Sequence, residues 1–240
     1  NYRLLWLGQT GHSATLWMDQ VARAVLILDL TDNSPTMLSL VIATRLAPIL
    51  VFGLLAGAIA DRYDKKKLLL TTQWVSTLCH VFIGTMCLTG LVEVWHVFLT
   101  AGVAGTAMAF NQPVRQSLIP MTVPKEVLLN AVALNSTALS FMRIGGTSLA
   151  GVLLIWFNIG SIYIITASVY VLVTITTMLM RFEGGAKQRK TSEGGIFGDL
   201  KEGFTYIASN RTLGVVTALA LIIFVFGMPC QQVFVPLLAK

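Results

Sequence analysis

Seven apolar runs, each near the length of a membrane-crossing helix, alternate with polar breaks along the 240 residues of this chain. A crossing needs about 20 mostly apolar residues, and the runs fall at 4–28, 37–60, 68–91, 95–112, 129–156, 160–180 and 212–235. They predict an all-α integral membrane fold. The breaks are of two kinds. Those between 28 and 37, 91 and 95, and 156 and 160 carry Asp29, Asp32 and Glu93 but no Lys or Arg. Those at 61–67, 113–128 and 181–211 carry Arg62, Lys65, Lys66, Lys67, Arg115, Lys125, Arg181, Lys187, Arg189, Lys190, Lys201 and Arg211. Lys and Arg are retained on the cytoplasmic side, so the N-terminus and these longer loops are expected inside and Lys240 outside. The long polar stretch from Glu183 to Arg211 holds paired glycines at Gly184-Gly185 and Gly194-Gly195 and reads as a linker. Within it Phe197, Leu200, Phe204 and Ile207 recur at helical spacing. They predict a short amphipathic helix on the membrane surface or against the bundle's inner face.

Composition strengthens the membrane reading. With 55% hydrophobic and 12% charged residues, the chain has too little polar surface to cover a soluble globule. The net charge of +6 sits at the ends of hydrophobic spans rather than on one soluble face, so nucleic acid is not an expected partner. Cys79, Cys87 and Cys230 have neither disulfide nor metal spacing. A nucleophile with its base, a phosphate-cradling Gly-x-x-x-x-Gly-Lys loop and His/Cys metal spacing are all absent from the sequence, so no enzymatic chemistry, cofactor or metal is expected. The chain opens at Asn1 with no initiator Met and no signal-peptide pattern. An earlier start and a retained first span are therefore expected.

The charges inside the spans carry the candidate chemistry. Asp19 and Arg23 in span one, Arg45 in span two and Arg143 in span five lie well inside apolar runs, where an ionised group costs roughly 2.5 to 3.5 kcal/mol on insertion scales. They should face a cavity or one another. At 100° per residue, His12, Asp19 and Arg23 share one side of span one with Thr15 close by, and Ser136, Ser140, Arg143 and Thr147 form a polar side of span five. Two readings stay open for Asp19 and Arg23, an internal ion pair that makes burial tolerable or a direct part in transport. His12 is either a packing residue or a proton carrier; His80 and His96 are weaker candidates. Trp17, beside the charged pair, is a candidate for stacking on a substrate. Small residues four apart, Gly53 and Gly57, Ala101, Gly105 and Ala109, and Gly146 and Ala150, mark expected helix contact seams. Pro48, Pro229 and Pro236 are expected to kink their helices.

One stretch is more specific. Gly53-Leu54-Leu55-Ala56-Gly57-Ala58-Ile59-Ala60-Asp61-Arg62-Tyr63-Asp64-Lys65-Lys66 follows the second span and fills each position of G-x-L-A-G-x-x-x-D-R-x-x-[KR]-[KR]. It resembles the loop 2-3 signature of the major facilitator superfamily. Leu7-Gly8-Gln9, Trp17-Met18 with Gln20-Val21-Ala22, Leu30-Thr31 with Ser34-Pro35, Pro113 with Arg115-Gln116, Asn130-Ala131 with Leu134-Asn135-Ser136, and Gly203 with Tyr206 extend the likeness over the whole chain. They resemble the bacterial branch of exporters that includes the enterobactin exporter and macrolide or multidrug efflux proteins.

That resemblance implies twelve spans in two six-helix halves. On it, residues 1–182 are the N-terminal six-helix transmembrane bundle, 183–211 the cytoplasmic interdomain linker, and 212–240 the seventh transmembrane helix, with the C-terminal six-helix half as partner. It implies alternating-access, proton-coupled export of a small amphiphilic organic compound, such as a siderophore or drug, across the bacterial inner membrane. Asp19 is then the proton-carrier candidate. Arg23, Arg45 and Arg143 hold an anionic substrate or set the aspartate's charge state, and Gly53, Gly57, Asp61, Arg62 and Lys66 form the gate. Residues 97–110 contain no charge, so the span-four arginine of drug/proton antiporters is absent. The span-five antiporter pattern is met only by Gly146 and Gly151, with Thr147 at its proline position. A lysophospholipid flippase of the same fold is the alternative, as is a membrane scaffold or assembly factor if the natural chain ends near Lys240.

Overall fold

Helices account for nearly all of residues 2–180, 205 and 209–223, the part of the chain described by a computed structural model. They are α1 (Tyr2–Leu30), α2 (Pro35–Arg62), α3 (Lys65–Thr89), α4 (Val94–Thr122), α5 (Leu128–Trp156), α6 (Ile159–Leu179) and α7 (Arg211–Ile222), with a 3-10 turn at Lys125–Val127 before α5. At 1.5 Å per residue, α1 to α6 are about 30 to 44 Å long, enough to cross a hydrocarbon core of about 30 Å. Four stretches, in α2, α3, α5 with its preceding turn, and α6, are also apolar enough by composition alone. α1 and α4 have the length but carry the polar groups that make the interior. No strand occurs among the described residues, and the fold is the all-α membrane class.

Several helices start or stop where the sequence supplies a cap. Ser34 accepts from the Met37 amide with Pro35 in the first turn of α2. The Asp64 carboxylate accepts from the amides of Lys66 and Lys67 at 2.9 and 3.1 Å and starts α3. α3 ends at Gly90, whose φ of 73° is the left-handed cap glycine adopts most readily. His96 returns its Nδ1 to the Glu93 amide at 3.0 Å and completes a capping box on α4. That role explains His96 without any part in transport.

Span four is longer than the apolar pattern predicts. The run stops at 112 and Pro113 begins a polar, proline-bearing stretch, so residues 113–128 are expected as a cytoplasmic loop. The helix instead runs through Pro113 and Pro120 to Thr122. Neighbouring helices support a membrane helix across a proline, and Val114, Leu118 and Ile119 bury here in an apolar cluster. Arg115 is thereby drawn inside, only 3% exposed. Of the seventh span, residues 224–235 lie outside the described residues. So do the linker hydrophobes Phe197, Leu200, Phe204 and Ile207, together with Cys230, Pro229, Pro236 and Lys240.

The helices pack in the order α5, α1, α6, α3, α4, α2, with α1 also touching α4 and α2. Two expected seams hold α2 and α5 at the flanks. Gly105 of α4 lies directly under the Arg45 carbonyl of α2, and a Cβ on Gly146 of α5 would stand 3.1 Å from the Ala14 carbonyl of α1. Along α5 the buried residues are Ala131, Ala138, Gly146 and Ala150, a small-residue stripe that lets two backbones approach where lipid gives no hydrophobic drive between helices. Gly53 and Gly57 behave differently, since nothing lies within 4 Å of where their Cβ atoms would be. That stripe makes no seam among the described residues. α2 is also the least covered span, 11% buried over its apolar stretch against 44% for α3 and α6.

Two apolar zones close the bundle, one around Ala22, Leu26, Ile27, Ile83 and Tyr163, the other around Leu5, Leu69, Val114, Leu118 and Met180. Between them lies a buried polar layer. Many hydroxyls within and beside it turn back onto their own helix: Thr15 donates to the His12 carbonyl, Ser76 to Thr72, Thr77 to Gln73, Thr166 to Tyr163 and Thr174 to Tyr170, at 2.8 to 2.9 Å.

Candidate functional site

Asp19 is the centre of the polar layer. Its carboxylate, 1% exposed as a residue, receives Arg23 Nη2 on Oδ1 at 2.8 Å and Arg45 Nη1 on Oδ2 at 2.9 Å. Arg23 is one helical turn along α1, the spacing at which side chains meet, while Arg45 arrives from α2. Arg23 continues across to α4, donating through Nη1 to Thr100 Oγ1 at 2.9 Å and the Val97 carbonyl at 3.2 Å. From α3, His80 brings its Nε2 to 3.5 Å from Asp19 Oδ1. Three helices thus meet at one carboxylate, and Arg23 ties it to a fourth. Both charge-assisted arms have the short geometry of strong pairs, so a costly buried anion is held by two cations.

A small internal cavity of about 10 Å³ adjoins the cluster, bordered by His12, Asp19, Arg45, Ser76, His80 and Tyr170 among others. That is room for about one water molecule, so in this arrangement the cluster is closed to an organic substrate. His12 lies on the cavity wall, 3% exposed, with Nδ1 3.2 Å from the Tyr170 hydroxyl. The polar layer continues toward the end of α4. Asn111 Nδ2 donates to Thr72 Oγ1 at 2.8 Å, and Arg115 Nε donates to Asn111 Oδ1 at 2.8 Å. The terminal nitrogens of Arg115 have no hydrogen-bond partner among the described residues.

The expected site residues therefore divide. Asp19, Arg23 and His12 share the side of α1 that helical spacing predicts, and Arg45 joins them from α2. Arg143 does not join them; its side of α5, with Ser136, Ser140 and Thr147, is exposed. Trp17 has its Cβ against Gly146 of α5. His80, only a weaker candidate from the sequence, and Arg115, expected in a loop, join the layer. A signal for His80 was present, because Thr72, Gln73, Ser76, Thr77 and His80 form one polar face on α3, and that face is buried.

Of the residues expected to form a gate, the side chains of Asp61 and Arg62 lie outside the described residues. Lys66 acts within the bundle. Its Nζ donates to the carbonyls of Met178 and Met180, both at 2.7 Å, at the C-terminal end of α6. A cation there satisfies orphan carbonyls and opposes the negative end of the helix dipole. Lys66→Met is expected to cost about 1 to 2 kcal/mol through the loss of these charge-assisted bonds. Thermal unfolding in detergent measures it, and a midpoint equal to that of Lys67→Met would show that the clamp contributes nothing.

Comparison with known proteins completes the picture. A macrolide efflux protein A of Streptococcus pyogenes is 21% identical over 232 residues, covering 96% of this chain and 56% of its own length. A staphyloferrin A transporter of Staphylococcus aureus is 27% identical over 181 residues, 75% of this chain and 44% of its own. An uncharacterized MFS-type transporter of Bacillus subtilis is 25% identical over 214 residues, 86% and 49% respectively. The chain spans about half the length of the curated relatives it matches. The transmembrane secretion effector family matches along all of residues 1–240. With six membrane-length helices around a buried charge cluster, this multi-pass membrane chain belongs to the transmembrane secretion effector family of the major facilitator superfamily.

Proposed function

We propose that this chain is the N-terminal part of an alternating-access secondary transporter. The protein exports a small amphiphilic organic compound, such as a siderophore or drug, and couples that export to protons. The observation that carries the reading is the closed cluster of Asp19, Arg23, Arg45 and His80. Ionisable groups inside a membrane are expensive and mark substrate or proton routes. This one is tied by Arg45 to α2, the least covered span, so movement of α2 would alter the charge balance at Asp19. The names of two relatives, for macrolide efflux and for staphyloferrin A transport, support a cargo of this size class.

In this reading residues 1–182 are the first six-helix bundle, 183–211 the linker and 212–240 the start of a second bundle in the bacterial inner membrane, with the N-terminus cytoplasmic. The open stripe of Gly53 and Gly57, with Asp61 and Arg62 beyond it, is the gate toward that second bundle. Arg143 and Trp17, on α5 and on the α5 side of α1, line the route between bundles.

The test is transport by the full-length protein in proteoliposomes with an imposed pH gradient. The cargo panel spans carboxylate siderophores, macrolides and lysophospholipids. We expect gradient-driven accumulation of a siderophore or drug, slowed in Asp61→Asn at matched protein density. An impermeant thiol reagent should reach single cysteines placed at Tyr63 and Lys125 from one and the same side. Movement of lysophospholipid alone would make the protein a flippase. Accumulation indifferent to the gradient would remove proton coupling.

A further inference from the structure

We propose that His80, not Asp19, is where the coupled proton resides. The inference rests on the transport reading above and names the proton site within it. The buried His80 ring has one nitrogen already committed. Its Nδ1 is 2.6 Å from the Ser76 carbonyl oxygen, and a carbonyl only accepts, so Nδ1 carries a hydrogen. A neutral imidazole has one donor and one acceptor nitrogen, which leaves Nε2 with a bare lone pair. That lone pair faces Asp19 Oδ1 at 3.5 Å and has no hydrogen-bond partner. Two acceptors confront each other across a gap that one proton would close, with a shift of about half an ångström to hydrogen-bond distance.

Adding that proton raises the charge of the cluster by one wherever it lands, so total charge does not choose the site. The hydrogen bonds do. Arg23 and Arg45 each donate to a separate oxygen of Asp19, and both bonds are strongest to a carboxylate. They hold the proton on the nitrogen side of the gap, as imidazolium beside an unprotonated Asp19.

The surroundings of the ring are complete enough to test this. α1 presents Asp19, Arg23 and His12, α2 presents Arg45, and α6 presents Tyr163 and Tyr170, with ring centroids 6.0 and 5.1 Å from that of His80. On α3 itself Cys79 is adjacent in sequence. α4 contributes Ala104, Ala107, Met108 and Asn111 to the shared cavity, none of them titratable. Asp19 is thus the anion of the site and His80 the group that gains and loses charge. Arg23 and Arg45 oppose a second cation, which makes occupancy of His80 sensitive to Arg45. Withdrawal of Arg45 with α2 would invite the proton, and its return would expel it.

Two measurements decide the matter. The first is 15N NMR of histidine-labelled full-length protein carrying His12→Gln and His96→Gln, in which His80 remains from this part of the chain. On acidification its Nε2 should move from a bare to a protonated ring nitrogen, at a higher pH in Arg45→Met than with Arg45 present. Difference infrared spectroscopy should show no carboxylic-acid band that depends on Asp19, read by comparison with Asp19→Glu, which keeps the anion. An Asp19-dependent acid band, or a bare Nε2 throughout the titration, would overturn the proposal. The second is transport: His80→Gln should lose at least tenfold in gradient-driven accumulation and keep downhill exchange. Unchanged accumulation in folded His80→Gln would also overturn it. Wild-type vesicles that transport nothing would defeat the functional reading, while the spectra would still report where the proton binds.

Discussion

Asp19→Asn is expected to leave little folded protein. The substitution is nearly isosteric, so its effect is electrostatic. An amide oxygen replaces the carboxylate that two guanidiniums share at 2.8 and 2.9 Å, and Arg23 is left 4% exposed with no anion beside it. Removing one partner of a buried ion pair costs about 3 to 5 kcal/mol, because the other charge stays buried and uncompensated. That is a large part of the 5 to 15 kcal/mol that holds a typical domain together. Arg45→Met is expected to be milder, since Arg45 is the more exposed arm at 15% and Asp19 keeps Arg23. The double variant Asp19→Asn/Arg45→Met should recover part of the loss, as coupled neighbours do not add. Thermal midpoints in detergent, with monodispersity, report the series; an Asp19→Asn protein that melts with the wild type would show that the cluster contributes nothing to stability.

Gly105→Val is expected to have a comparable effect for a steric reason. Any Cβ at this position would run into the backbone carbonyl of Arg45, and backbone cannot turn aside as a flexible side chain can. The cost should reach the upper end of overpacking, about 3 kcal/mol. It also falls on the charge cluster, because the residue pushed away is Arg45, the partner of Asp19. Gly102 is the control one turn earlier on α4. Its nearest neighbour would be Thr44 Cγ2 at an ordinary 3.7 Å, so Gly102→Ala should be tolerated. Equal melting of Gly102→Ala and Gly105→Val would remove the seam from the explanation.

Much of this arrangement is legible in the sequence where the physics is local. Six of the seven apolar runs correspond to α1 to α6, because span length and cap residues depend on neighbours in the chain. The side of α1 bearing His12, Asp19 and Arg23 follows from helical spacing alone. What escapes notice depends on neighbours far apart in sequence. The first part of 113–128, expected as a loop, is carried inside α4 as far as Thr122 by packing of Val114 and Leu118. His80 has no charged neighbour within its own span, and its partner lies on another helix. Arg143 shows the converse limit of periodicity. The polar residues around it do share a side, but periodicity cannot say which neighbour, if any, that side meets.

The threonine and serine hydroxyls that turn back on their own helices bear on how such a bundle could rearrange. A hydroxyl already bonded to the carbonyl one turn behind carries its partner along when the helix tilts or slides. A hydroxyl bonded in this way needs no partner on the facing helix, so it adds little friction between helices. Resistance is then concentrated in a few cross-helix bonds, chiefly those from Arg23, Arg45, Lys66, Gln73 and Asn111. In the alternating-access reading proposed above, these bonds would act as detents between one resting position and the next.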